Sequence, residues 1–255
     1  MTGKLKTFTV AHGADLMPAA ALGFPCAWLA YTIENGELRM TARTPGRGGL
    51  MGLYTTSPLP KNDDLRRLAQ AIGNAVRQRQ YGGVLLDLPD SDEALTFAAR
   101  LCPLLTGMGI PLFLPIELGE ASRDARLILP SAISGGSFDE MLARFTGFYP
   151  PSRLCLDLIR TRHDFSMPSP DADGHLLGSC EFEGLLRNAG QSYYARELCC
   201  RYFTYRAADG KPHFVMFDDV ETTRRKVELA RDAGFFAVFA LYAEWGREIR
   251  EIFCL

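Results

Sequence analysis

The strongest constraint on this chain is an alternation. Short, β-rich, continuously apolar runs are separated by stretches of helical period. A strand covered on both faces has no solvent side, so its sequence loses the usual apolar–polar alternation and becomes an unbroken apolar run. GVLLDL and PLFLPI are runs of this kind. The pattern predicts strands at 7–10, 27–32, 50–55, 83–88, 111–116, 126–129, 154–159 and 236–241. It predicts helices over 62–80, 90–107, 137–148 and 220–233. In the first helix Leu65, Leu68, Ile72 and Val76 recur at helical spacing behind Asp63 and Asp64, whose charge suits a first turn. In the second, Ser91 supplies an N-cap and Gly107 a stop.

Strand and helix in alternation argue for parallel βαβ units. Eight strands in 255 residues suit a closed (β/α)8 TIM-type barrel, with an open doubly wound sheet as the alternative. The stretch 167–190 breaks the rhythm and reads as a turn-rich loop. Asp209-Gly210 then lies between two aromatic β-runs, a hairpin signal. The expectation is one domain over residues 1–255, an α/β barrel with a loop-plus-hairpin excursion before the last helix and strand. TPGRGGLMG at 44–52 lacks the spacing of a phosphate-binding fingerprint and reads as a flexible loop entering the third strand.

Composition narrows the function. A net charge of −2 with Lys and Arg scattered among acidic residues gives no basic stripe, which counts against nucleic acid as a partner. No apolar run approaches the length of a membrane span, and MTGKLKTFTV has no secretory apolar core. The seven cysteines are odd in number and show no CxxC spacing, so they are expected to be reduced structural thiols. A cytoplasmic location with no cofactor and no metal is the expectation.

The segment 217–241, FDDVETTRRKVELARDAGFFAVFAL, resembles the closing βα unit of family 18 glycoside hydrolases, the chitinase-like barrels, and of their bacterial spore-germination relatives. Phe217, Asp218, Asp219, Thr222, Lys226 and Gly234 fall at that unit's spacings. GGVLLDLP at 82–89 resembles the family's fourth-strand motif DGxDxDxE, keeping Gly83 and Asp87. The earlier aspartates become Gly82 and Leu85, and the catalytic Glu becomes Pro89. The final-strand Trp falls at Leu241, and the sixth-strand Tyr-Asp pair has no counterpart in LCLDLIRTRHDF from Leu154. The resemblance implies a barrel fold and a sugar substrate. It also implies a mechanism in which the sugar's acetamido oxygen attacks while one Glu protonates the leaving group. Pro89 has no proton to give, so the resemblance implies a pseudoenzyme.

Function in barrels gathers at the C-terminal ends of the strands. The candidates there are His12, Asp87, Asp90, Glu117, Arg160, His163, Asp164, Tyr242, Glu244 and Trp245. Asp87 and Glu117 close consecutive strands and are the expected catalytic pair if any acid has been relocated. His12, Arg160, Tyr242, Glu244 and Trp245 are the expected ligand-binding groups. Arg160 has an alternative role in neutralising Asp87. Asp87 could instead cap the Ser91 helix, and the aromatics could be rim packing. Adjacent residues on an extended chain point oppositely, so His163 and Asp164 should not bond each other. His213 on the hairpin reads as structural.

Three functions remain. The first is a catalytically degenerate carbohydrate-binding protein connected with cell wall or sporulation, taking a small carbohydrate or glycan fragment. The second is an active hydrolase with a relocated acid, and the third is a rigid scaffold for a protein partner.

Overall fold

The computed structural model describes residues 5–55, 58–60, 65–133, 135–168 and 174–254. The first eight strands are β1 (Lys6–His12), β2 (Cys26–Glu34), β3 (Glu37–Met40), β4 (Leu50–Tyr54), β5 (Val84–Asp87), β6 (Leu112–Pro115), β7 (Arg126–Pro130) and β8 (Leu154–Asp157). The chain then builds a separate antiparallel sheet from β9 (Arg162–Ser166), β10 (His175–Leu176), β11 (Tyr193–Ala195), β12 (Cys200–Arg206) and β13 (Pro212–Phe217). It returns with β14 (Ala237–Leu241). Parallel pairing runs β1-β14-β8-β7-β6-β5-β4-β2, and β1 also pairs with β2. The eight strands therefore close into a (β/α)8 TIM barrel, with β3 added antiparallel outside β2. All eight expected strands are present, and the open sheet is excluded by the β1–β2 closure.

The helices are α1 (Leu16–Ala20), α2 (Leu65–Arg79), α3 (Asp92–Gly107), α4 (Phe138–Phe148), α5 (Ser179–Ala189), α6 (Val220–Asp232), α7 (Tyr242–Trp245) and α8 (Ile249–Phe253). Ser91 caps α3 by accepting from the Ala94 amide at 3.2 Å. Residues 62–64 of the first predicted helix lie outside the described residues. Gly107 does not stop α3 as expected. The helix includes it, and the left-handed turn falls on Gly109 at φ +73°.

Two further expectations change. The stretch 167–190 is not all loop, because it contains α5. Phe182, Leu185, Leu186 and Ala189 on that helix pack on Phe203, Val215 and Phe217 of the antiparallel sheet. Their spacing is helical, but the glycines on either side masked it. The glycine loop before β4 is fixed by sterics as well as by turn chemistry. A Cβ on Gly49, at φ +73°, would sit 2.1 Å from the Cys26 carbonyl oxygen, so only glycine lets β4 approach β2 there.

The strand register sets the rest. Successive side chains on a strand point to opposite faces. One set, including Val84, Leu86, Leu112, Leu114, Leu127, Leu154 and Leu156, belongs to the outer core beneath the helices. The alternate set, including Leu85, Phe113, Cys155 and Phe239, fills the barrel. Phe8 stacks on Phe239 at 5.2 Å, and Phe113 meets the two edge-on at 6.2 and 5.8 Å. The barrel is thus plugged at mid-height by aromatic rings. Charged residues on the same inward rows are left at its two ends.

Candidate functional site

Asp87 follows Leu85 by two residues on β5, and Asp157 follows Cys155 by two on β8. Both therefore lie on the inward rows, one step beyond the aromatic plug toward the C-terminal end. With Glu117, in the 3-10 turn after β6, they line a cleft of about 370 Å³ in the barrel mouth. Its other walls are apolar, among them Val10, Leu29, Ile128, Phe239 and Leu241. The alternation that builds the core thus sets carboxylates on a greasy floor.

That floor alters their chemistry. Burial disfavours the charged form of Asp157, and the negative charges of Glu244 and Asp87 add to the effect. Its pKa is pushed up to about 7. Asp87 is exposed to the cleft water, yet burial raises its pKa as well. A concave mouth reconciles the two facts: water reaches the carboxylate without surrounding it. Raised in this way, Asp157 holds its proton to higher pH than a free aspartate does.

Asp157 was not among the residues singled out from sequence, and the reason is specific. The expected strand ran to Ile159, but β8 ends at Asp157, which placed the mouth too far along at Arg160 and His163. The usable signal was the period: LCLD places its Asp two residues after an inward Cys, as LLD does after Leu85. The sixth barrel strand is β7, so the comparison of a Tyr-Asp pair with LCLDLI used the wrong strand, and RLILP carries no such pair either.

The remaining candidates are dispersed. Arg160 does not neutralise Asp87. Its guanidinium pairs with Glu248 at 2.6 Å and donates to the Glu244 carbonyl oxygen at 2.9 Å, lying 4.7 Å from the Trp245 ring centre. Glu244 in turn accepts from the Arg160 amide at 2.9 Å. Trp245 is 1% exposed and donates its indole N–H to the Leu158 carbonyl oxygen at 2.7 Å, so in this structure it has no face open for stacking on a sugar. Tyr242 is partly buried against the outer core. His12 is exposed at the end of β1 and does not line the cleft. Asp90 is exposed beyond β5.

On the antiparallel sheet His163 and Asp164 do not bond each other. Asp164 accepts from the Tyr205 hydroxyl at 2.7 Å and lies 2.9 Å from His213 Nδ1, so His213 braces the hairpin against β9. Among the described residues no cluster of three or more His, Cys, Asp or Glu is arranged to hold a metal ion. Among the described residues no helix is long and apolar enough to cross a membrane.

No protein-family model and no curated protein sequence matches the chain. Solved structures do. An N-acetylglucosaminidase of glycoside hydrolase family 18 from Paenibacillus barengoltzii aligns over 99% of this chain and 100% of its own, with a TM-score of 0.67 and 12% identity. A class V chitinase from Nicotiana tobaccum, in complex with NAG4, aligns over 98% of both chains at 0.67 and 12%. The spore cortex-lytic enzyme SleL from Bacillus megaterium aligns over 92% of this chain and 70% of its own, at 0.62 and 10%. The chain therefore has a chitinase-like (β/α)8 barrel, the fold found in family 18 glycoside hydrolases.

Proposed function

We propose that this protein binds a short saccharide or glycan fragment in the barrel mouth and does not run the reaction of family 18. The carrying observation is the mouth itself, an open cleft with Asp87, Glu117 and Asp157 over an apolar floor. Carboxylates accept hydrogen bonds from sugar hydroxyls, and the apolar walls suit the C–H face of a ring. A scaffold would be expected to fill this space with large side chains. Pro89, at the position that the resemblance gives to the acid, leaves no donor there. The likeness to chitinases and to spore cortex-lytic enzymes supports a chitin-like, cell-wall or spore-cortex glycan as the ligand. Composition supports a cytoplasmic protein that meets such glycans as fragments.

One observation favours a second reading, an active hydrolase with a relocated acid. Burial and the charges of Glu244 and Asp87 push the Asp157 pKa up to about 7, the direction that general acid catalysis near neutral pH requires. Asp87 across the cleft would then be the second carboxylate, with Glu117 as the alternative partner.

Thermal-shift titration with chitooligosaccharides and muropeptide fragments, followed by turnover assays on each hit, tests both readings. Binding appears as stabilisation that grows with ligand concentration. A shift without turnover is the expected result. Turnover that falls 100-fold or more in Asp157→Asn, in line with the usual weight of a general acid, replaces the first reading with the second. No shift with any sugar removes both.

A further inference from the structure

The barrel has a second concave end. At the N-terminal side a cavity of about 690 Å³ is lined by Lys6 and Arg126, with no Asp or Glu among the described residues of its wall. Both cations lie on inward rows, Lys6 two residues before Phe8 and Arg126 two before Ile128. The Arg126 guanidinium carbon lies 3.7 Å from the centre of the Phe236 ring and 5.4 Å from that of Phe113. Lys6 Nζ lies 4.7 Å from the Phe236 centre. Among the described residues neither cation forms an ion pair. The Arg126 Nε is buried and has no hydrogen-bond partner.

We propose that this floor cavity is a binding site for an organic oxyanion, a carboxylate or phosphate ester with an apolar body, held by Arg126 and Lys6. A buried guanidinium donor normally finds an acceptor, because leaving it unmade forfeits its hydration for nothing. Aromatic faces attract the charge but accept no strong hydrogen bond from Nε. An oxyanion accepts several N–H groups at once in the planar geometry of the guanidinium fork. Phe8, Phe113 and Phe236 supply the apolar wall, and the volume falls within the range of small-molecule sites. Burial already pulls the Arg126 pKa down, the expected effect on a cation that lacks a counter-charge. Barrel chemistry is carried at the opposite end, so this is a ligand site with no reaction assigned to it. It stands apart from the mouth, and sugar binding or its absence has no bearing on it.

Calorimetry and thermal shift with benzoate, phenyl phosphate and inorganic phosphate at fixed ionic strength test the proposal. Benzoate or phenyl phosphate is expected to stabilise the protein in a saturable way, and the tighter of the two identifies the head group. Arg126→Met and Lys6→Met should each weaken that binding at least tenfold. Arg126→Lys keeps the charge, loses the fork, and is expected to weaken it by a smaller factor; it serves if Arg126→Met does not fold. Inorganic phosphate binding as tightly as phenyl phosphate overturns the apolar body. No saturable shift with any anion, or a shift unchanged in the variants, overturns the site and leaves Arg126 as a lid on the aromatic plug.

Discussion

The root of α6 and the barrel axis both bury charge, by opposite rules. At the α6 root every charge has a partner. Lys226 Nζ lies 2.8 Å from Asp218 Oδ2, with the two side chains 2% and 0% exposed. Thr222 donates to Asp218 at 2.9 Å, and the Thr161 amide donates to it at 3.4 Å. Asp219 caps the helix by accepting from the Thr222 amide at 2.8 Å, and its own amide donates back to Thr222 Oγ1 at 3.1 Å. On the barrel axis, by contrast, like charges share the mouth, and at the floor two cations without an ion pair among the described residues lie on aromatic rings. A satisfied network holds elements in place. Unsatisfied groups in a cavity are what a ligand can satisfy, and perturbed groups in clefts are candidates for function on that ground. The residues that carried the family resemblance most fully, Asp218, Asp219, Thr222 and Lys226, are therefore tied into the structural network at the α6 root.

Three experiments probe that contrast. Lys226→Met should have the largest effect. Stranding Asp218 as a lone buried charge is expected to cost about 3–5 kcal/mol in denaturant unfolding. Adding Asp218→Asn should recover much of that loss, because a pair replaced together leaves no charge uncompensated. If the single variant is as stable as the parent, the paired-root half of the comparison fails.

Asp157→Asn should act in the opposite direction. The folded-state pKa, about 7, lies above the ordinary value of 3.8, so between about pH 4 and 7 the folded protein binds more protons than the unfolded chain. Stability contributed by this group is full below that window and is lost as pH rises through it. Removing the carboxylate should thus stabilise the protein at pH 8, by up to about 4 kcal/mol at 1.36 kcal/mol per pH unit. Near pH 4 the gain should vanish. A pH-independent difference would show that Asp157 is not the strained acid of the mouth.

Asp219→Ala tests the smallest term. Loss of the cap should cost about 1 kcal/mol, read as a lower unfolding midpoint. The cost should include a contribution from Arg201, which pairs with Asp219. A neutral result would mean that the neighbouring Glu221 and Thr222 satisfy the helix start without it.

Much of the barrel is legible in the sequence because it follows from local rules. Unbroken apolar runs marked all eight strands, and helical spacing, with a cap at Ser91, marked α2, α3, α4 and α6. Asp87 was found by the same logic, as an acid closing an apolar strand. Where the reading failed, the deciding contacts were distant in sequence. α5 owes its place to packing against β12 and β13, with glycines obscuring its ends. Arg160 follows an apolar strand in sequence, but Glu244 and Glu248, more than eighty residues away, hold it.

The sequence by itself determined that this chain alternates buried strands with helices in parallel βαβ units, because that follows from residue type and period along each segment. Closure into a barrel came from the tertiary structure, through the pairing of β1 with β2. Only the tertiary structure decided which charges have partners, because pairing depends on strands brought together across the barrel. That closure brings Asp157 and Asp87 into one cleft above an aromatic plug and, among the described residues, leaves the Arg126 Nε without an acceptor below it.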